Sequence, residues 1–381
     1  MTTQNNFNWI GQNSLINLQT EYFNITNPIK LTCIMGICCI TNPSNNSTTV
    51  YALDSSGYIL IITPTTNNQS FDYNYINTEL GNNIMQVKPP CNFIQCSLNS
   101  QNGINLAFTF CETNNDKTIT CYVVENFSTS KNSYKQINVP GMGFIEISMS
   151  PDGNYVLFVS VDYTSCLLYQ ITTNQFSNLQ INSTNSIYTG GISNNAAHIF
   201  VLGNNNNNNI VYSCDYATAD FWYCYSTGNI SQNMYVDSTG EYIICVLFNQ
   251  QLTFNYNNMY GGGKSSENYN VSVNGEYIQQ NGCICLNQTN NSEGNVLICT
   301  FLSSSGINAI STITGPQSFI PENALNNIEN LIISSLQTNN CTTSNTTTVI
   351  NPIVVAIGTT TLPSEENMIT PFYFFYGYAS Y

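Results

Sequence analysis

The chain has 381 residues and a formal net charge of −15, with 21 acidic residues against 6 lysines, no arginine and one histidine. Only 7% of its residues are charged, where about a quarter is usual in globular proteins. The field repels phosphate backbones and no basic patch can form, which argues against a nucleic-acid partner. No window approaches the ~18 apolar residues of a membrane-spanning helix.

Apolar residues make up 42% of the chain, with 25 Tyr and 19 Phe, which is enough for a core. In chain order, residues 7–26 come first, an apolar-alternating stretch with no obvious partner nearby. A phrase then repeats seven times: a strand ending in polar turn residues, followed at once by a β-branched apolar strand. The step is roughly 44–55 residues, the length of one four-stranded propeller blade.

The units lie near 31–78, 92–139, 144–181, 187–226, 233–273, 276–320 and 329–381. The third is the clearest, with strands expected at Phe144–Met149, Tyr155–Asp162, Cys166–Thr172 and Gln175–Gln180. Its turn, Ser150-Pro151-Asp152-Gly153, pairs a proline that presets φ with a glycine that supplies φ > 0. Asn195-Ala196-Ala197 departs from that pattern, so the fourth turn should be longer or differently wound. No segment carries a 3.6-residue period; Pro321–Glu329 is at most a short helical turn.

The seventh unit offers strands at Asn330–Gln337, Ile350–Gly358 and Phe372–Tyr378, and is one strand short. The N-terminal stretch is the economical source of the missing strand, closing the ring and removing two open sheet edges. The expectation is one all-β domain over residues 1–381: a seven-bladed β-propeller of four-stranded antiparallel blades, closed by the N-terminal strand.

The segments SPDGNYVLFVSVD at 150–162 and DSTGEYIICVLFN at 237–249 resemble β-propeller repeats of the YVTN or WD40-like kind. The resemblance covers the whole chain as architecture. The Trp-Asp and Gly-His marks of true WD40 repeats are absent.

Seven-bladed propellers include lactonase-like enzymes whose sites use acid, His and Arg residues, and this pattern is not met. Without Arg, and with His198 alone, neither a His pair nor an Arg anion clamp can be built. His198 reads as a strand-end residue beside a turn. Glu365 and Glu366 are adjacent and point apart, and Glu146 would be a single acid on an inner strand. No catalytic residue and no cofactor are expected. Cys283 and Cys285 share a strand face without a nearby His, and Asp54, Asp152 and Asp237 suit turns better than a calcium loop, so no metal is expected either.

The chain has 15 cysteines, an odd number, and no recognisable signal peptide at its start. Cys111 and Cys121 flank one hairpin turn and Cys214 and Cys224 another; each pair is either a disulfide or two packed thiols. Cys91 and Cys96 form a third, weaker candidate pair. Sequons include Asn24, Asn68, Asn126, Asn182, Asn229, Asn270, Asn287 and Asn345. In so Asn-rich a chain their number is what chance gives, so glycosylation is permitted and not indicated. The most aromatic segment contains Phe372, Tyr373, Phe374, Phe375, Tyr376, Tyr378 and Tyr381. It reads as a strand buried within the last blade or as an assembly surface.

These features favour a non-enzymatic structural protein that packs with copies of itself into a coat, fibre or tubule on an exterior surface. In composition the chain resembles Asn-rich proteins of amoebae and of the giant viruses that infect them, which implies a virion surface as one such exterior. The alternatives are a glycan-binding propeller, using aromatics such as Trp222, Tyr223 and Tyr225, and a propeller enzyme of the lactonase-like or carboxylate-based kind.

Overall fold

The computed structural model describes the 28 strands named below and the connections 125–128, 132–134, 150–154, 171–174 and 193–198, with residues 57, 78, 99, 101, 103 and 240. Side-chain surroundings are described for residues between 36 and 243.

The strands are short, mostly five to nine residues, and rich in Val, Ile, Tyr, Phe and Thr, which favour a pleated, half-buried surface. Among the described residues they form seven four-stranded antiparallel sheets. The first sheet holds β2 (Ile34–Asn42), β3 (Ser47–Asp54), β4 (Tyr58–Pro64) and β5 (Phe71–Asn77). The second holds β6 (Ile94–Leu98), β7 (Ile104–Cys111), β8 (Ile119–Val124) and β9 (Lys135–Ile137). The third holds β10 (Phe144–Met149), β11 (Tyr155–Ser160), β12 (Ser165–Gln170) and β13 (Gln175–Gln180). The fourth runs through β14 (Ser186–Ile192), β15 (Ile199–Asn205), β16 (Asn208–Cys214) and β17 (Phe221–Ser226).

The fifth sheet is β18 (Ser231–Val236), β19 (Tyr242–Asn249), β20 (Gln251–Asn258) and β21 (Ser266–Val271). The sixth is β22 (Tyr277–Asn287), β23 (Asn295–Ser303), β24 (Gly306–Ser311) and β25 (Gly315–Pro321). The seventh takes β26 (Ile328–Ser335), β27 (Ile353–Thr360) and β28 (Phe372–Ser380) from one end of the chain and β1 (Asn8–Ile16) from the other. β1 pairs with β28 over its full length, from Asn8 opposite Ser380 to Ile16 opposite Phe372.

In each of the first six sheets, sequence order is spatial order, as successive hairpins require. The first strand of each sheet lies against the first strand of the next, and β26 lies against β2. First strands are therefore innermost and fourth strands outermost.

The period of two along each strand divides its side chains between two neighbours. In β7, Leu106 and Phe108 join Cys38, Tyr51, Leu53 and Ile59 in the core between the first two sheets. Ala107, between them in sequence, faces Ile147, Val156 and Phe158 of the third sheet. The same division recurs in β15, where Ile199 and Val201 face the third sheet and Phe200 and Leu202 face the fifth. Among the described residues the core is a set of apolar layers between the first five sheets, and each of these four joints is held by burial worth about 25 cal/mol per Å².

Candidate functional site

The best-defined polar features are the turns between the first and second strands, together with the joints they make between sheets. The three turns described in full, in the second, third and fourth sheets, are closed by one device. Ser150 N–H donates to the Tyr155 carbonyl at 2.9 Å, and Tyr155 N–H donates to Ser150 Oγ at 3.0 Å. In the fourth sheet Ser193 N–H donates to the His198 carbonyl at 3.0 Å, and His198 N–H to Ser193 Oγ at 2.9 Å. Asn99 plays the same part in the second: its N–H donates to the Gly103 carbonyl at 2.8 Å, and its Oδ1 accepts from Gly103 N–H at 2.9 Å. A side-chain oxygen at the turn's first position thus satisfies a backbone donor that hairpin pairing leaves over.

The fourth turn is wound as its sequence suggested. Asn194–Ala196 form a 3-10 turn in which Asn195 and Ala196 have φ of 54° and 51°. An alanine in that region is uncommon, and here it is wholly buried.

Between the second and third sheets the turns are stitched by side chains. Ser97 Oγ donates to the Pro151 carbonyl, and Asn105 Nδ2 donates to the Gly153 carbonyl at 2.9 Å. Asn105 Oδ1 accepts from Asn99 Nδ2 at 3.2 Å and from Asn126 N–H at 3.1 Å, and Asn99 Nδ2 also reaches Asn126 Oδ1 at 2.8 Å. Asn105 is 3% exposed, so the network is a buried, bonded one. Gly153 has φ of +71° and sits against the backbone of Leu98, a place a side chain would strain and crowd. Lys135 lies 5.7 Å from the ring centre of Tyr169 and adds a cation–π contact across the same joint.

These joints can position and bind polar groups; a proton-transfer or nucleophilic set does not emerge from them. His198 stacks near Phe200, with ring centres 6.3 Å apart, and its backbone is engaged in the turn. Asp152 Oδ2 accepts from Asn154 Nδ2 at 2.7 Å, while its Oδ1 is a buried atom with no hydrogen-bond partner. Glu146 lies in β10 beside a bulge and pairs with Val159. Among the described residues no three His, Cys, Asp or Glu side chains group as metal ligands. No described helix is long and apolar enough to cross a membrane.

The cysteine expectations are revised by register. Cys111 stands opposite Ile119 and Cys121 opposite Thr109, so the two are diagonal neighbours and not a facing pair. Cys121 is a buried thiol and forms no disulfide. Cys214 faces Phe221, and the bulge beside Tyr212 leaves Cys224 without a ladder partner. Cys96 is likewise a thiol, and its neighbour is Cys38 of the first sheet. Cys91 lies outside the described residues. In the sixth sheet Cys283 and Cys299 stand opposite one another, a pairing that the spacing of Cys283 and Cys285 did not suggest.

Of the sequons, Asn126 is exposed in the connection after β8, Asn270 lies in β21 opposite Thr253, and Asn287 ends β22 opposite Asn295. Asn24, Asn68, Asn182, Asn229 and Asn345 lie outside the described residues, as do Glu365, Glu366, Asp237 and Tyr381. Phe372, Tyr373, Phe374, Phe375, Tyr376 and Tyr378 all fall in β28, an interior strand between β27 and β1. Its two hydrogen-bonding edges are occupied, so the open edge of that sheet belongs to β1. Trp222, Tyr223 and Tyr225 are in the outer strand β17, not in a loop.

The chain matches no family model and no curated protein sequence. Among solved structures it is similar to a functionally unknown protein from Desulfotomaculum acetoxidans DSM 771, at 11% identity and a TM-score of 0.50, covering 78% of this chain and 86% of that one. It is similar also to the Kuenenia stuttgartiensis hydrazine synthase, at 12% identity and a TM-score of 0.49 over 75% of this chain and 79% of that one. A third similar structure is the Dos1 propeller, at 11% identity and a TM-score of 0.48 over 90% of this chain and 78% of that one. The chain is a β-propeller. At such identities the likeness concerns fold alone, and function has to be argued from this propeller's own residues.

Proposed function

We propose that this propeller is a non-enzymatic structural protein that assembles with copies of itself into a coat, fibre or tubule on a virion or other exterior surface. One observation supports this reading above the rest. The outer strands β1 (NWIGQNSLI), β13 (QFSNLQ) and β17 (FWYCYS) are sheet edges that carry no charged residue and no proline. Monomeric β-proteins guard such edges with lysine, proline or bulges, because an unpaired row of N–H and C=O groups is a template for another strand. Here β1 and β13 lack every one of these guards and β17 has only its bulge at Cys224, while Gln175 and Asn178 of β13 are exposed. The near absence of charge over the whole chain acts in the same direction.

The net charge of −15 opposes close approach of copies at low ionic strength, so salt should promote assembly. Sedimentation velocity and negative-stain imaging of the purified chain, in dilute buffer and in about 0.5 M salt, test the reading. Ordered polymers that increase with salt support it. A monodisperse monomer at high concentration in both buffers overturns it. Placing a lysine on one edge, Asn178→Lys, should weaken assembly while leaving the melting temperature within a degree or two.

A further inference from the structure

Two thiols from different sheets meet at the joint between the first and second sheets. Cys38 lies in β2 and Cys96 in β6, the innermost strands of those sheets. Cys38 is 6% exposed and belongs to the apolar layer with Tyr51, Leu106 and Phe108, while Cys96 is half-buried against the same layer. The two side chains hydrogen-bond to one another, and neither is in a disulfide. No backbone ladder joins β2 to β6, so side-chain contacts hold this joint.

We infer that Cys38 and Cys96 form a redox latch across this joint, closing to a disulfide by exchange with a small disulfide such as oxidised glutathione. Cys96 is the half-exposed partner and reacts first. Its thiolate attacks one sulfur of oxidised glutathione, giving a mixed disulfide at Cys96 and releasing one glutathione thiolate. Cys38, already in contact, loses its proton to solvent. Its thiolate then attacks the Cys96 sulfur and expels the second glutathione thiolate. Two protein thiols are oxidised, one glutathione disulfide is reduced to two thiols, and the protons released balance them. The new bond brings the two sulfurs to about 2 Å.

Burial pushes the Cys38 thiol well above its ordinary range, followed in effect by the hydrogen bond to Cys96 and the charges of Cys96 and Cys39. The titratable groups in or against this layer are Cys39, Cys96, Tyr51, Tyr122 and Tyr134. Resolution by Cys38 is therefore the slow step at neutral pH. It should accelerate about tenfold per pH unit through the alkaline range. The latch does not depend on assembly, and either reading can fail without the other.

Incubating the full chain with oxidised glutathione at pH 8.5, blocking the remaining thiols, and mapping chymotryptic peptides tests the latch. Cleavage after Phe93 and Leu98 isolates Cys96 in a five-residue peptide. The expected product joins that peptide to the one carrying Cys38, is lost in Cys38→Ser, and persists in Cys39→Ser. The oxidised chain should also melt about 3–6 °C higher than the reduced one. A stable glutathione adduct on Cys96, or linkage of Cys96 to Cys91, would overturn the inference. The wild-type map alone decides between these outcomes if a serine variant does not fold.

Discussion

The side-chain amide of Asn105 donates to the main-chain carbonyl of Gly153 at 2.9 Å, binding a strand of the second sheet to the turn of the third. The same amide's oxygen accepts from Asn99 and from the Asn126 backbone, so one buried residue holds three segments. Asn105→Ala should cost about 2–4 kcal/mol, since it strands a buried carbonyl and two donors. Urea unfolding followed by tyrosine fluorescence measures it. Asn105→Asp keeps the acceptor but sets a carboxylate against a carbonyl, so its loss should be larger at pH 7 than at pH 4.

A second prediction concerns Gly103. A Cβ placed there would lie 2.0 Å from Asn126 Oδ1 and 2.9 Å from Asn99 Nδ2. Gly103→Ala should destabilise by about 1–3 kcal/mol through overcrowding and loss of the amide network. Asn126 has φ of 52°, a conformation that glycine adopts readily. Asn126→Gly should therefore be mild alone and should recover part of the loss in the double variant. A thermodynamic cycle on the four proteins checks this; strict additivity would contradict the contact.

Alkaline pH should unfold this protein earlier than its acidic composition suggests. Burial raises the pKa values of Cys38, Cys121 and Tyr51 above their ordinary 9.0, 9.0 and 10.0, making all three weaker acids. In the unfolded chain these groups lose protons first, so the unfolded state binds fewer protons than the folded one above about pH 9. Stability is thus full below that pH and falls as pH rises, by up to about 1.4 kcal/mol per unit for each group. Tyr51→Phe should make the decline between pH 10 and 12 shallower by about one proton, read from urea midpoints across that range.

Removing residues 1–17 would delete β1 and expose the edge of β28. Nine cross-strand pairs are lost, at about 0.2–1 kcal/mol each. The truncated chain should melt lower and aggregate through the aromatic row FYFFYGYAS, which becomes an unpaired strand. Scanning calorimetry and light scattering on the two chains test both effects. Adding the 1–17 peptide in trans should reverse the scattering.

Local rules made the sheets legible. The hairpin phrase around Ser150–Gly153 marks its turn because proline and glycine have few other conformations to offer. Phe221–Ser226 reads as a strand from its aromatic run, and the structure has β17 at that span. The anomalous Asn195-Ala196 turn was legible for the opposite reason, as a missing glycine. The N-terminal stretch was read as a strand in search of a partner, and β1 pairs with β28.

The joints were not legible. Cys38 and Cys96 meet because two sheets pack face to face, and no spacing along the chain encodes that contact. The hairpin spacing of Cys111 and Cys121 allows a disulfide or two packed thiols, and register sets each opposite another residue. Pairing depends on turn length to the single residue, and a shift of one moves a side chain to the other face. The amide network of Asn99, Asn105 and Asn126 was hidden for a different reason. In a chain so rich in asparagine, three structural copies look like all the rest.

The pairing of Asn8 with Ser380 brings the first and last described strands side by side at the outer side of one sheet. Anything joined before Asn8 and after Ser380 would leave the sheet from neighbouring positions. A short peptide joining the ends, with a new opening cut between two sheets elsewhere, should leave the ring intact. β1 and β28 are held by a zipper of backbone hydrogen bonds, and a covalent link between them would turn a clasp into a hoop.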